Sequence, residues 1–225
     1  MSIGNDTNYK SGVGPGETVI IVTGPRLTIR RAVREDIDKR LTWAQHDDPF
    51  FWQWNTGPMS NLERDTWFYT KLQRPDYHLY VIDEPGGRMI GFLSLRDLQP
   101  STGEGTLGIS LDPAFINQGY GTEALDIFIS YFFNVMNYEA LLLDVATYNT
   151  RAYHCYEKCG FVIAYQTWSI TAADGIPPQV LTDPQFADVR HLFRWQNNRF
   201  EGLLYHMILK RPPRSAEKGG DNSPR

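Results

Sequence analysis

Two stretches of this chain combine residue types that can do chemistry. Gln118-Gly119-Tyr120-Gly121-Thr122 sets two glycines at the mouth of an apolar helix. A helix N-terminus leaves its first N–H groups without intrahelical partners, and the macrodipole puts partial positive charge there. Glycines permit a tight turn and let an anionic oxygen come close to the backbone. Taken alone, these five residues read equally as an anion cradle or as a plain strand-to-helix turn. About thirty residues on, the run from Asn149 to Phe161 reads as a short helix that carries Tyr156 and stops at Gly160. A phenol with an ordinary pKa of about 10 stays protonated at neutral pH and can donate its proton to a stronger base.

Other phosphate-binding patterns fit less well. A dinucleotide fingerprint wants a third glycine where Ala124 stands, a permitted variant, and an acidic residue about twenty residues on, where Asp144 is near. That option stays open as a minor one. A Walker-type loop is excluded, because no Gly-Lys-Ser/Thr is present.

The elements that must position these groups follow from periodicity. Leu27 to Ile29 alternates as a strand. Ile37, Leu41 and Ala44 recur at helical spacing. Ser60-Asn61-Leu62-Glu63 is a capping box that starts a second helix through Trp67 and Leu72. His78 to Ile82 and Met89 to Leu95 read as strands joined by Pro85-Gly86-Gly87. Gly105 to Leu111 is the next strand, ended by Asp112-Pro113, and Thr122 to Asn137 is a helix apolar nearly all round. Ala140 to Val145 is a continuous apolar run, the mark of a central strand covered on both faces. After the helix from Thr150 to Lys158 come strands at Val162 to Ile170 and Leu203 to Leu209. Between them lies a polar and aromatic insertion, 171–201. Residues 1–24 and 212–225 are rich in small and polar types and read as tails on a single domain, 25–211. The pattern predicts one α/β (α+β) domain with a mixed sheet and helices on its faces.

Composition narrows the partners. The chain has 225 residues, 41% of them hydrophobic, which suits a globular fold with a real core. A net charge of −4 argues against nucleic acid, which needs a basic surface. No apolar run is long enough for a membrane span. No basic segment leads into an apolar one at the N-terminus, so a cytoplasmic location is expected. Cys155 and Cys159 lie four apart on one helix, a poor frame for a disulfide, and His154 beside them does not complete a metal set. They read as reduced packing residues, with no metal expected.

With both stretches in view, the chain resembles the GNAT superfamily of acyl-CoA-dependent N-acyltransferases. It is most similar to the branch that includes ribosomal-protein alanine acetyltransferases. The resemblance covers about residues 26–170. Leu107 to Leu111, Asp112-Pro113 and Gly119 to Leu125 match the family's cofactor segment. Asn149-x-Arg151-Ala152 and Tyr156-Glu157-Lys158-x-Gly160-Phe161 match its second segment. The resemblance implies a mostly antiparallel sheet in which two neighbouring parallel strands, 106–111 and 141–145, splay apart around pantetheine.

It also implies the roles. Acetyl-CoA is the co-substrate, its pyrophosphate on the turn formed by Asn117, Gln118, Gly119, Gly121 and Thr122. Leu111 bonds the pantetheine or the thioester, and Asn149 fixes the cofactor arm. The same Asn149 side chain also serves to cap the helix that follows. Tyr156 is the acid for the leaving thiolate. The base is open between Glu104, Asp97 and water, since Thr106 occupies the family's usual acidic position. One departure stands out: the loop usually begins with Arg or Gln three residues before the first glycine, and here that residue is Ile116. The aromatics Phe50, Phe51, Trp52 and Trp54 read as a wall of the acceptor pocket or as core. The expected reaction is direct acetyl transfer to a primary amine on a small molecule or peptide. The rival is a non-catalytic acyl-CoA-binding or regulatory domain. Relatives often dimerise, so a homodimer is one outcome to test.

Overall fold

The computed structural model describes residues 18–213. Nine strands make one continuous sheet. In chain order these are β1 (Ile20–Thr23), β2 (Thr28–Arg31), β3 (His78–Asp83), β4 (Met89–Gln99), β5 (Glu104–Leu111), β6 (Ala140–Ala146), β7 (Val162–Ser169), β8 (Phe193–Gln196) and β9 (Arg199–Lys210). The helices are α1 (Glu35–Arg40), α2 (Asn61–Leu72), α3 (Tyr120–Asn134) and α4 (Thr150–Lys158). The sheet runs β1-β2-β3-β4-β5-β6-β9-β7, with β8 paired to β9. Every described pairing is antiparallel except β5 with β6. The expected fold class is the observed one.

Alternation along β3 sorts two cores onto opposite faces. Tyr80 and Ile82 join Leu93, Leu95 and the buried side of α3, where Leu125, Phe128 and Phe132 are fully covered. Leu79 and Val81 face the other way and pack with Ile37 of α1 and Phe68 of α2. Arg30 ties the second layer to the sheet, bonding Asp36 at 2.7 Å and Asp83 at 2.6 Å. Ser60 and Glu63 form the expected capping box at the start of α2.

Several boundaries differ from the sequence reading. Ile20–Thr23 falls within the expected tail 1–24 yet forms an edge strand on β2, because the apolar Val19 to Val22 patch buries Ile21 and Val22. The rest of that tail up to residue 17, and residues 214–225, lie outside the described residues. Helix α1 ends at Arg40, short of Leu41 and Ala44, and the Ala44 N–H bonds the buried Asp112 carboxylate at 3.1 Å instead. The insertion is not one loop. It holds four short 3₁₀ turns and β8, built around Ala172, Ile176, Val180 and Phe193.

Candidate active site

The ladder between β5 and β6 stops early. Glu104, Gly105 and Thr106 pair with Ala140, Leu141 and Leu142, and no pairing continues beyond them. Outward, β5 remains bonded to β4 and β6 to β9. The two inner edges therefore diverge, and their backbone N–H and C=O groups face each other across a gap. Such groups demand partners. A ligand with amides of its own supplies them.

The gap opens into a cleft of about 580 Å³. Leu107 to Leu111 line one side and Asp144, Val145 and Ala146 the other. At its mouth stands the glycine turn. Gly119 caps α3 with φ +82°, a left-handed conformation that favours glycine. Gly121 has φ in the ordinary range, and a Cβ there would meet Leu111 Cδ1 at 3.5 Å and Cys155 Sγ at 3.6 Å. Space for one methyl exists, but a larger side chain would fill the cradle. Asn117, Gly119, Gly121 and Thr122 all line the cleft. Gln118 does not. Its side chain turns back to donate to the Ala114 carbonyl at 2.9 Å, so it shapes the turn rather than facing a ligand.

Asn149 and Tyr156 reach the cleft from α4. Asn149 accepts from the Ala152 N–H at 3.2 Å, so it caps the helix and lines the site at once. Tyr156 is buried, stacks edge-on with Phe161 at 6.0 Å, and has no hydroxyl partner among the described residues. Burial, with repulsion from the neighbouring cysteine sulfurs, pushes its phenol above the ordinary value. The phenol is therefore protonated at neutral pH. Cys155 Sγ lies 3.3 Å from Thr122 Oγ1, and both cysteines are free thiols packed against the α3 core.

Glu104 requires a correction. It sits where β5 and β6 are still paired, with Thr102 Oγ1 donating to its carboxylate at 3.3 Å, and it does not line the cleft. Five residues of strand separate it from Ile109, about 17 Å at strand rise. Asp97 is held outside as well, by Arg74 at 3.3 Å and Arg96 at 3.4 Å. Two other groups are present instead, Asp144, which the sequence suggested only for a dinucleotide site, and His46, which it did not single out. Asp144 lines the cleft, bonded to Arg96 at 3.0 Å and to His206 at 2.7 Å. His46 lines it from the loop after α1, its backbone held by both ends of the Asn55 side chain, at 2.6 and 3.1 Å. Burial and then the Arg151 charge depress the His46 imidazole below 6.5, so it is neutral at pH 7. No apolar periodicity or short motif marks His46, and the spacing that marked Asp144 belongs to a different kind of site. Only the fold brings them to the splay.

The aromatic cluster divides. Trp54 lines the cleft, whereas Phe50 packs into a third core with Tyr148 at 5.4 Å, Phe186 at 5.5 Å and Phe193 at 5.9 Å. The insertion thus buttresses the loop of Phe50 and Phe51 from behind and contributes no lining residue. No group of three or more His, Cys, Asp or Glu side chains placed to hold a metal occurs among the described residues.

Comparison with known proteins agrees with this geometry. The model of the acetyltransferase (GNAT) domain family matches residues 26–162, and the chain belongs to that family. A segment of 83 residues is 26% identical to spermidine N(1)-acetyltransferase of Vibrio cholerae serotype O1, covering 37% of this chain and 48% of the relative. The match thus spans about half the length of that curated relative. Among solved structures, spermidine N-acetyltransferase from Vibrio cholerae in complex with CoA and spermine superposes with a TM-score of 0.62 at 17% identity, over 83% of this chain and 96% of that one. The spermidine/spermine N-acetyltransferase from the same organism in complex with manganese ions gives a TM-score of 0.58 at 18% identity, over 82% and 92%.

Proposed function

We propose that this chain transfers the acetyl group of acetyl-CoA directly to a primary amine of a small molecule or peptide. The observation that carries the reading is the conjunction at the splay. Two strand edges leave their backbone groups to a ligand, a glycine-opened helix stands at the mouth, and a protonated, unpartnered phenol lies inside. Pyrophosphate binds the N–H groups of the turn, and pantetheine runs between β5 and β6 with Leu111 among its backbone partners. The amine attacks the thioester carbonyl from the side of α1 and α2. The C–N bond forms and the C–S bond breaks, the amine proton passes to neutral His46, and Tyr156 gives its proton to the departing thiolate. Asp144 is already engaged by Arg96 and His206 and serves to hold both in place.

A ribosomal N-terminus as acceptor finds no support among the relatives described above, which act on polyamines. The non-catalytic alternative keeps the cradle but has no use for an unpartnered phenol. Thiol release from acetyl-CoA with a panel of amines tests the proposal. Binding of acetyl-CoA without acetylation of any amine would favour the alternative, and no stabilisation by acetyl-CoA would sink both.

A further inference from the structure

The wall of the cleft on the α1 and α2 side carries positive charge that no described carboxylate neutralises. Arg40, the last residue of α1, lines both the cleft and an adjoining recess of about 210 Å³. The recess shares the Gly108 to Ser110 wall with the cleft and is closed by Trp67, Tyr77 and Ser94. The Arg40 guanidinium lies 5.9 Å from the Trp43 ring and 6.0 Å from the Phe92 ring. No carboxylate among the described residues pairs with it. Burial pulls its pKa below the ordinary value, and the only opposing influence is the Tyr77 phenol. Its Nε is buried with no acceptor.

The neighbours add to the imbalance. Lys71 sits 4.7 Å from the Tyr77 ring, and burial followed by repulsion from Arg74, Arg40 and Arg96 depresses it. Arg74 and Arg96 have Asp76, Asp97 and Asp144 as partners. Arg40 and Lys71 have no acidic partner among the described residues. A half-buried guanidinium beside other cations is unfavourable until a counter-charge arrives, and its planar fork suits an oxyanion.

Resting on the acetyl-transfer reading, we propose that the acceptor amine also carries a carboxylate, which Arg40 binds at the recess while the amine faces the thioester. The phosphates of CoA are the other source of an oxyanion. They belong at the glycine turn on the α3 face of the sheet. A polyamine offers only positive charge, and the wall that attracts a carboxylate disfavours it.

The test pairs free amino acids and dipeptides with their C-terminal amides, adds spermidine, and measures kcat/KM by thiol release. Each acid should exceed its amide by about tenfold or more, and spermidine should be poor. Arg40→Gln should raise KM for the acid about 10–100-fold and close the gap to the amide, while acetyl-CoA affinity by calorimetry holds. Arg40→Lys, which keeps charge and loses the fork, should fall between. Amides or spermidine used as well as the acids would overturn the inference, as would loss of acetyl-CoA binding in a folded Arg40→Gln protein. If no amine is acetylated, the transfer reading fails. Titration of the same pairs into the CoA-bound protein then decides the inference alone: preference for the acid that disappears in Arg40→Gln sustains it, and equal or absent binding ends it. Should Arg40→Gln not fold, the acid-to-amide ratio of the wild type decides: a ratio of about ten or more sustains the inference, and a ratio near one ends it.

Discussion

Arg26 and Glu123 are joined twice beside the glycine turn, backbone N–H to Oε1 at 2.7 Å and Nε to Oε2 at 2.7 Å. The same guanidinium lies 4.7 Å from the Tyr120 ring and reaches the Gln118 carbonyl at 3.4 Å. Ile116 stands where the resemblance implies Arg or Gln, and residues 116–122 bring no cation of their own. Arg26, from the approach to β2, brings one to the same place. It also offsets Glu123, whose charge favours the α3 N-terminus but opposes a ligand phosphate there.

Arg26→Ala should therefore weaken acetyl-CoA binding about two- to fivefold, a modest effect because the pair is partly exposed. Adding Glu123→Gln should restore most of the affinity. Calorimetry on both variants checks this, and an unchanged dissociation constant for Arg26→Ala would reduce the pair to a structural clamp.

Tyr156→Phe keeps the ring, its contact with Phe161 and the fold. Single-turnover acetyl transfer should fall about 10²–10⁴-fold, with acetyl-CoA affinity nearly unchanged. A wild-type rate would make Tyr156 a packing residue.

The two glycines should separate by variant. Gly121→Ala fits the space beside Leu111 and Cys155 and should fold normally, whereas Gly121→Val should abolish acetyl-CoA binding by filling the cradle. Gly119→Ala should instead lower stability by about 1 kcal/mol, since its left-handed φ disfavours a Cβ. Thermal melts with and without acetyl-CoA resolve both effects. Retained ligand stabilisation in Gly121→Val would move the cradle elsewhere.

His46 sets a pH dependence. Its folded value lies below 6.5, so the direction is fixed: above that value the imidazole is neutral and accepts the amine proton, below it the ring is charged and the rate drops. The acid limb of kcat/KM should centre below pH 6.5. His46→Gln should erase that limb and slow transfer about 10²-fold or more. A limb unchanged in the variant assigns it to another group.

The glycine turn and the α4 end of the candidate site were legible in the sequence because their groups are local. Glycines at a helix start, an asparagine cap and a helix tyrosine are each set by neighbours a turn away. The sheet followed for the same reason, from alternation and the Pro85-Gly86-Gly87 hairpin. The acceptor half was not legible. His46 comes from a loop with no period of its own, Arg40 from a helix whose period gives a face and not its tertiary neighbours, and only packing brings them to the cleft that Asp144 also lines. Glu104 was misread because strand periodicity gives the face of a residue and not its height along the splay. The edge strand at Ile20–Thr23 was visible only as an apolar patch too short to outweigh its polar surroundings.

The third core, under Tyr148 and Phe50, has an evolutionary consequence. Substitutions among Ile176, Val180, Phe186 and Phe193 shift the scaffold behind the 46–55 loop without touching the turn at Gly119 or the ladder of β5. Selection can thus retune which amine is admitted by drifting a remote apolar patch, while the donor half stays fixed.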